Sequence, residues 1–114
     1  MSIQIDITVD DREELIFLLT EAAEFEHTVM CTYLYAMWSL KREESEGITR
    51  EEKESIGRWR NSIRSVAMEE MLHLSLVNNL MAAIGAAPHF SRPEFPVTRG
   101  NFPAEVNFHL APFN

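Results

Sequence analysis

Three side chains that could bind a metal ion stand at apolar positions of two predicted helices. Glu70 and His73 form a Glu-x-x-His pair, a spacing that places both donor groups on one helix face. Glu26 takes an equivalent position in the preceding helix. In a helical hairpin that turns near residue 47, positions 26 and 70 lie at similar distances from the turn. We therefore expect the side chains of Glu26, Glu70 and His73 to lie close together, at the same height along the hairpin.

Buried carboxylates require a counter-charge, and the sequence around these glutamates supplies no Lys or Arg for this purpose. Residues 65–91 contain neither type, and neither occurs one helical turn from Glu26. An unpaired buried carboxylate costs on the order of several kcal/mol. Two carboxylates and one imidazole suit a hard or borderline metal ion. The sequence thus predicts Glu26, Glu70 and His73 as metal ligands, and the alternative is a metal-free network of hydrogen bonds.

Four nearby residues could take part in the site or belong only to the packing. Glu24 and His27 form a second Glu-x-x-His, but Glu24 points away from Glu26 on a helical wheel and is expected at the surface. His27 borders the apolar face and is a candidate partner behind the ligands. Glu69 is an alternative ligand, and Tyr33 is expected in the core with one hydrogen bond.

Other reactive residue types are not expected to contribute chemistry. Cys31 lies off the apolar face of its helix, and His89 and His109 lie in a proline-rich C-terminal region. No phosphate-binding loop, Cys-x-x-Cys or nucleophile elbow is present.

The elements that must position the three ligands are two long helices. The first is predicted from Asp10, which forms a capping-box pattern with Glu13, to about Glu46. The second follows the Thr49–Glu52 capping box and runs to Ile84, with Gly85 at the left-handed cap position.

The apolar residues of both helices follow repeats that define their predicted inner faces. In the second helix a heptad spacing gives the positions Ile56, Trp59, Ile63, Val66, Glu70, His73, Val77, Leu80 and Ile84. In the first helix the positions are Leu15, Leu19, Ala22, Glu26, Val29, Tyr33, Met37 and Leu40.

The two ends of the chain have extended patterns. Residues 3–9 alternate apolar and polar types, as in a short strand that could pair with residues 106–110. Residues 86–114 contain all five prolines and five of the seven phenylalanines, so we expect an extended arm that covers apolar surface.

The fold class predicted for this single domain of residues 1–114 is all-α. A two-helix hairpin cannot enclose a core, because each apolar face is wider than one neighbouring helix can cover. Either the arm covers the remainder, or a second copy does. Two hairpins would form a four-helix bundle, so we expect a homodimer.

Composition and charge exclude several function classes. The chain has 114 residues with a net charge of −8 and a pI near 4.9, which disfavours nucleic acid and anionic lipid as partners. Seven of the ten basic residues lie in 41–64 among six glutamates, a pattern expected of a solvated surface. The single cysteine and the absence of a signal peptide or membrane-spanning pattern favour the cytoplasm.

The amino-acid sequences of the two helices resemble those of one known family. Glu26 with Tyr33 seven residues later, followed by Glu70-x-x-His73, is similar to the first half of a ferritin-like carboxylate bundle. The segments AAEFEHTVMCTYLYAMWSL and VAMEEMLHLSLVNNLMAAIGAAP, and a tail with FP and LAPF, resemble the ferritin-like domain of iminophenylpyruvate dimer synthases of violacein- and rebeccamycin-type pathways. The resemblance covers most of residues 12–113.

The resemblance implies Glu26, Glu70 and His73 as metal ligands. Two hairpins would supply these residues twice, which is the ligand set of di-iron and di-manganese bundles, so we expect a di-iron site across a dimer, with manganese or zinc as alternatives. It also implies a redox enzyme that uses oxygen or peroxide to couple an amino-acid-derived imine, a small-molecule substrate. Family members continue into a second helical pair with its own Glu and Glu-x-x-His, and this sequence does not contain that pair, so we expect either a piece of a longer protein or a half-domain that dimerises. Two other functions stay open: an iron-binding or ferroxidase-type protein without organic substrate, and a structural half-bundle oligomerisation module.

Overall fold

The described part of the chain is an antiparallel hairpin of two helices, followed by an irregular segment, residues 86–95, that we call the tail. A computed structural model describes residues 8–95 and 110–111. It contains α1 (Arg12–Trp38), a short 3₁₀ turn (Glu44–Glu46) and α2 (Arg50–Ala83), and the described residues contain no strand. The predicted all-α class is confirmed. Neither helix has an apolar stretch long enough to cross a membrane. Most of the strand predicted at 3–9, most of its partner at 106–110 and most of the C-terminal arm beyond residue 95 lie outside the described residues, and residues 8, 9 and 110 are not in a strand.

The first helix begins one residue later than the capping pattern predicted. Asp11 is the N-cap, and its carboxylate accepts a hydrogen bond from the backbone N–H of Glu14. The Glu14 side chain accepts from the backbone N–H of Asp10 at 3.1 Å. The cap predicted at Asp10 is therefore formed by Asp11, and the Glu14 side chain binds the residue before the cap and not the cap residue itself.

The first helix also ends earlier than predicted, at Trp38 rather than near Glu46. Leu40 and Ile48, on either side of the 3₁₀ turn, are buried together with Ile56 of α2. Burying both side chains against α2 requires the chain to leave the α1 axis. Gly47 closes the connection in the left-handed conformation, at φ 89°.

Both ends of the second helix confirm the sequence prediction. At its N-terminus Thr49 and Glu52 exchange hydrogen bonds of 3.1 Å, completing the capping box. At its C-terminus Gly85 has φ 80°, and the N–H groups of Gly85 and Ala86 return to carbonyls of the last helical turn, as in a Schellman motif. Arg12 donates to the carbonyl of Ile84 at 2.9 Å, which joins the start of α1 to the end of α2.

The inner face of α2 is rotated relative to the predicted heptad. Trp59 and Leu80, both predicted inside, are 47% and 55% exposed. Every seventh residue from Ile56 through Glu70 to Ile84 is at least partly buried, as predicted. The rest of the observed inner face is formed by other residues than the heptad predicted, namely Arg60, Ala67, Leu74 and Met81. A single neighbouring helix contacts this set, whereas a heptad seam describes the core of a multi-helix bundle.

A stripe of large apolar side chains on α2 faces away from α1. Met68, Leu72, Leu76 and Leu80 are each more than half exposed. They follow a four-residue spacing, so they form one continuous surface along the helix. We call these four residues the apolar stripe.

Candidate metal centre

The antiparallel register brings the three predicted ligands together at the middle of the hairpin. Glu26 lies on α1, and Glu70 and His73 lie one turn apart on α2. One donor atom from each side chain lies within 4.8 Å of the other two. His73 Nδ1 is 3.5 Å from Glu26 Oε2 and 3.5 Å from Glu70 Oε2. The predicted meeting of these residues is confirmed, and metal binding by them stays a prediction.

Access to the cluster is asymmetric. The side chains of Glu26 and Glu70 are 21% and 16% exposed, whereas that of His73 is 48% exposed. On α2, His73 also precedes Leu76 and Leu80 of the apolar stripe by three and seven residues, so it borders that stripe. The cluster is therefore closed on the α1 side and open towards the apolar stripe.

The electrostatics of Glu26 show a carboxyl group that lacks a compensating cation. The pKa of Glu26 is raised from 4.5 to about 7, mainly by burial and in addition by the neighbouring Glu70 carboxyl, whereas His73 opposes both effects. Glu26 Oε2 is buried and has no hydrogen-bond partner within the described residues. A cation placed between the carboxylates would reverse this balance, because a positive charge favours the ionised form.

The donor set and its spacing fit a divalent metal ion. Two donors about 2.1 Å from one ion, at tetrahedral or octahedral angles, lie roughly 3.0–3.4 Å apart. The 3.5 Å separations of His73 Nδ1 from the two carboxylates are close to this range. Glutamates and a histidine are also the ligand types of di-iron and di-manganese helical bundles. Glu26, Glu70 and His73 would hold the ion.

The structure places the other sequence candidates outside this cluster. Glu69 is exposed and does not belong to the three-donor group. Tyr33 is 37% exposed rather than part of the core, and its predicted hydrogen bond is not formed with any described residue. Cys31 is a half-buried free thiol.

His27 belongs to the side of α1 that the tail covers. Burial and the nearby Arg92 charge lower its pKa, and Phe90 and His89 are also among its neighbours. Its Nδ1 atom is buried without a hydrogen-bond partner within the described residues. The structure therefore does not place His27 behind the metal ligands.

One prediction about the back of α1 was wrong. Glu24 was expected at the surface, but its Oε1 atom lies 2.9 Å from His89 Nε2 and both side chains are less than one-third exposed. The two residues are 65 positions apart in sequence, so helical periodicity carried no signal for their contact. They fasten the tail to α1.

Asn78 of α2 holds the same point of the tail and was not identified from the sequence. Its side chain accepts a hydrogen bond from the backbone N–H of His89 at 2.6 Å and donates to the His89 carbonyl at 3.3 Å. Asn78 is only 5% exposed. A buried amide among the apolar residues of 77–81 was the available signal, because buried polar groups need partners.

Comparison with known families agrees with this geometry. The Ferritin-like family model matches residues 19–114, which is most of the chain and includes α2 and all three candidate ligands. The chain belongs to the ferritin-like family. No curated protein and no solved structure matches this sequence.

Proposed function

We propose that this protein is a carboxylate-bridged iron protein in which Glu26, Glu70 and His73 are the metal ligands. The observation that carries the proposal is the convergence of three donor atoms within 4.8 Å around a carboxyl group whose pKa is raised to about 7. Membership of the ferritin-like family supports iron, and manganese or zinc would fit the same donors. Bound iron would supply one-electron redox chemistry with oxygen or peroxide.

The three ligand residues would have different roles at the site. Glu26 would release its proton when the cation binds, because its pKa lies near neutrality in the free site. Glu70 and His73 are fixed relative to each other by one helical turn. The half-exposed His73 marks the direction from which a substrate or a second protein surface can reach the site.

The second half of the proposal is a homodimer that completes the site. Three donors from one chain leave the ligand set smaller than the four carboxylates and two histidines of di-metal bundles. A second copy packed on the apolar stripe would bring a second set of Glu26, Glu70 and His73 towards the first. The stripe continues directly to His73, and an isologous dimer joins two copies of one surface. Up to two metal ions per dimer are expected.

The reaction we propose is oxidation of an amino-acid-derived imine with oxygen or peroxide. Its support is the resemblance of the two helices to iminophenylpyruvate dimer synthases. A ferroxidase-type protein would bind and oxidise iron without converting an indole or phenyl imine, and product analysis by mass spectrometry separates the two functions.

Metal loading of matched variants tests the proposal. Chelator-treated wild type, Glu70→Gln and the control Glu13→Gln would be incubated anaerobically with ferrous iron, and iron per chain would be measured by elemental analysis. Glu13 is exposed in the first turn of α1, far from the cluster. We expect iron in wild type and Glu13→Gln and its loss in Glu70→Gln. Equal iron content in all three proteins, or none in wild type, would contradict the proposed site and favour a structural module.

A further inference from the structure

The connection between the helices and the first turns of α2 enclose a second candidate site. An open groove of about 490 Å³ lies there, lined by Arg42, Glu44, Arg50, Lys53, Glu54 and Arg60, with Gly57 at its wall. This volume is within the range of small-molecule sites. The groove is about 20 Å from Glu70, because 13 residues of α2 separate Gly57 from Glu70 at about 1.5 Å each. It is therefore separate from the metal centre.

The groove collects positive charge in an acidic protein. Four cationic and two acidic side chains line it, whereas the whole chain has a net charge of −8. The basic residues of 41–64 were expected to form a solvated surface among the glutamates. The structure instead brings four of them to one concave surface.

Two of the four cations form no ion pair within the described residues. Lys53 pairs with Glu43 at 3.2 Å, and Arg50 approaches Glu54 at 4.0 Å. Arg42 has no such pair, although its charge helps to lower the pKa of the Glu46 carboxyl. The residues that line the groove carry two more cationic than acidic side chains, and Arg60 is the cation of the lining for which no carboxylate interaction is seen among the described residues.

The Arg60 side chain is held in position by its own hydrogen bond. Arg60 Nη2 donates to the carbonyl of Lys41 at 2.9 Å, and its Nε is buried without an acceptor among the described residues. A guanidinium group fixed in this way loses less conformational freedom when it binds an anion. For Arg42 the main chain is fixed, because its backbone N–H donates to Glu46 Oε2 at 2.6 Å.

Gly57 keeps the groove open. A glycine inside a helix is less stable than an alanine, and packing does not require it here, since a Cβ at position 57 would have no atom within 4 Å. The absent side chain leaves space between the cations of α2 and the connection.

We propose that this groove binds a phosphate-bearing small molecule, with Arg42 and Arg60 as the principal phosphate ligands. Guanidinium groups bind phosphate oxygens through paired, charge-assisted hydrogen bonds. A phosphate group with two negative charges would balance the excess of two cations over carboxylates in the lining.

Calorimetric titration with inorganic pyrophosphate tests this site in the chelator-treated protein, in which bound iron cannot capture the anion. We expect saturable binding to wild type that weakens roughly tenfold or more in Arg42→Gln and in Arg60→Lys, because each loses a charge-assisted contact. Arg64→Gln is the matched control, because Arg64 is an exposed arginine of α2 outside the groove, and we expect its affinity to stay within about twofold of wild type. Circular dichroism would show that each variant retains its helices.

Gly57→Leu provides a variant that retains every charge. The added side chain would occupy the groove, so we expect it to abolish pyrophosphate binding while the helix content is kept. A parallel titration with malonate separates phosphate from carboxylate ligands. The proposal is overturned if wild type does not bind pyrophosphate, if Arg64→Gln weakens binding as much as Arg42→Gln, or if malonate binds as tightly as pyrophosphate.

Discussion

Replacing Glu26 with Gln should stabilise the metal-free protein, and by an amount that depends on pH. The folded structure raises the pKa of Glu26 from 4.5 to about 7, so the folded state binds this proton more tightly than the unfolded state. Stability from this group is greatest at low pH and is lost as pH rises from 4.5 to 7. Glutamine, which stays neutral, avoids that loss.

The two pKa values set the size of the effect. Between pH 5 and pH 8 the wild type should lose about 2–3 kcal/mol of unfolding free energy relative to Glu26→Gln, at about 1.36 kcal/mol per pH unit within the interval between the two values. The contributions of other titrating groups largely cancel when the two proteins are compared at one pH. The difference should therefore be small at pH 5 and large at pH 8.

Urea unfolding in the presence of a chelator, at one fixed protein concentration, measures this difference. Glu13→Gln is the control, because it removes the same kind of carboxyl group at an exposed position far from the cluster. Adding ferrous iron anaerobically at pH 8 should stabilise wild type and leave Glu26→Gln unchanged. A wild-type minus Glu26→Gln difference that stays constant from pH 5 to pH 8 would refute the view that Glu26 is a buried carboxyl group without a cation.

Three other perturbations test the remaining parts of the structure. Leu76→Glu on the apolar stripe should convert a dimer of twice the 13.1 kDa chain mass into a monomer in light scattering, whereas Ala82→Glu, at an exposed position of α2 off the stripe, should not; a Leu76→Glu dimer would contradict the proposed interface. His89→Ala should lower the unfolding free energy by about 1–2 kcal/mol through loss of the contact with Glu24, with iron per chain unchanged, and a lower iron content would show that the tail supports the metal site. Thr49→Ala should cost about 1 kcal/mol in urea unfolding through loss of the α2 cap, with Thr49→Ser nearly neutral; equal stability of both would show that the capping box is unimportant.

Local sequence signals identified the two ends of α2 and the position of the candidate site along the hairpin. The Thr49–Glu52 pair and Gly85 carry their information within four residues, and the structure uses them as expected. Glu26 met Glu70 because equal distances from one turn fix the register of an antiparallel hairpin. These features depend only on helix geometry and on the position of the turn.

Features that depend on tertiary contacts were not available from the sequence. Residues 39–46 contain no Gly or Pro, so nothing local marked the end of α1 at Trp38. The end follows from burial of Leu40 and Ile48 against α2. The heptad likewise placed Trp59 inside, although in the described hairpin it is half exposed, because a repeat cannot tell which neighbour will cover a given face.

Asn78 and the tail residue that it binds do not contribute equally to the position of the tail. Because Asn78 bonds the main-chain N–H and C=O of residue 89, it would recognise almost any amino acid at that point. The position of the tail at the end of the hairpin is therefore determined by Asn78 of α2, which is eleven positions earlier in the sequence than His89. Mutations in the tail can alter its side chains, including the His89 contact with Glu24, and still leave its course intact. A mutation of Asn78 would release the tail from α2 without altering any residue of the tail itself.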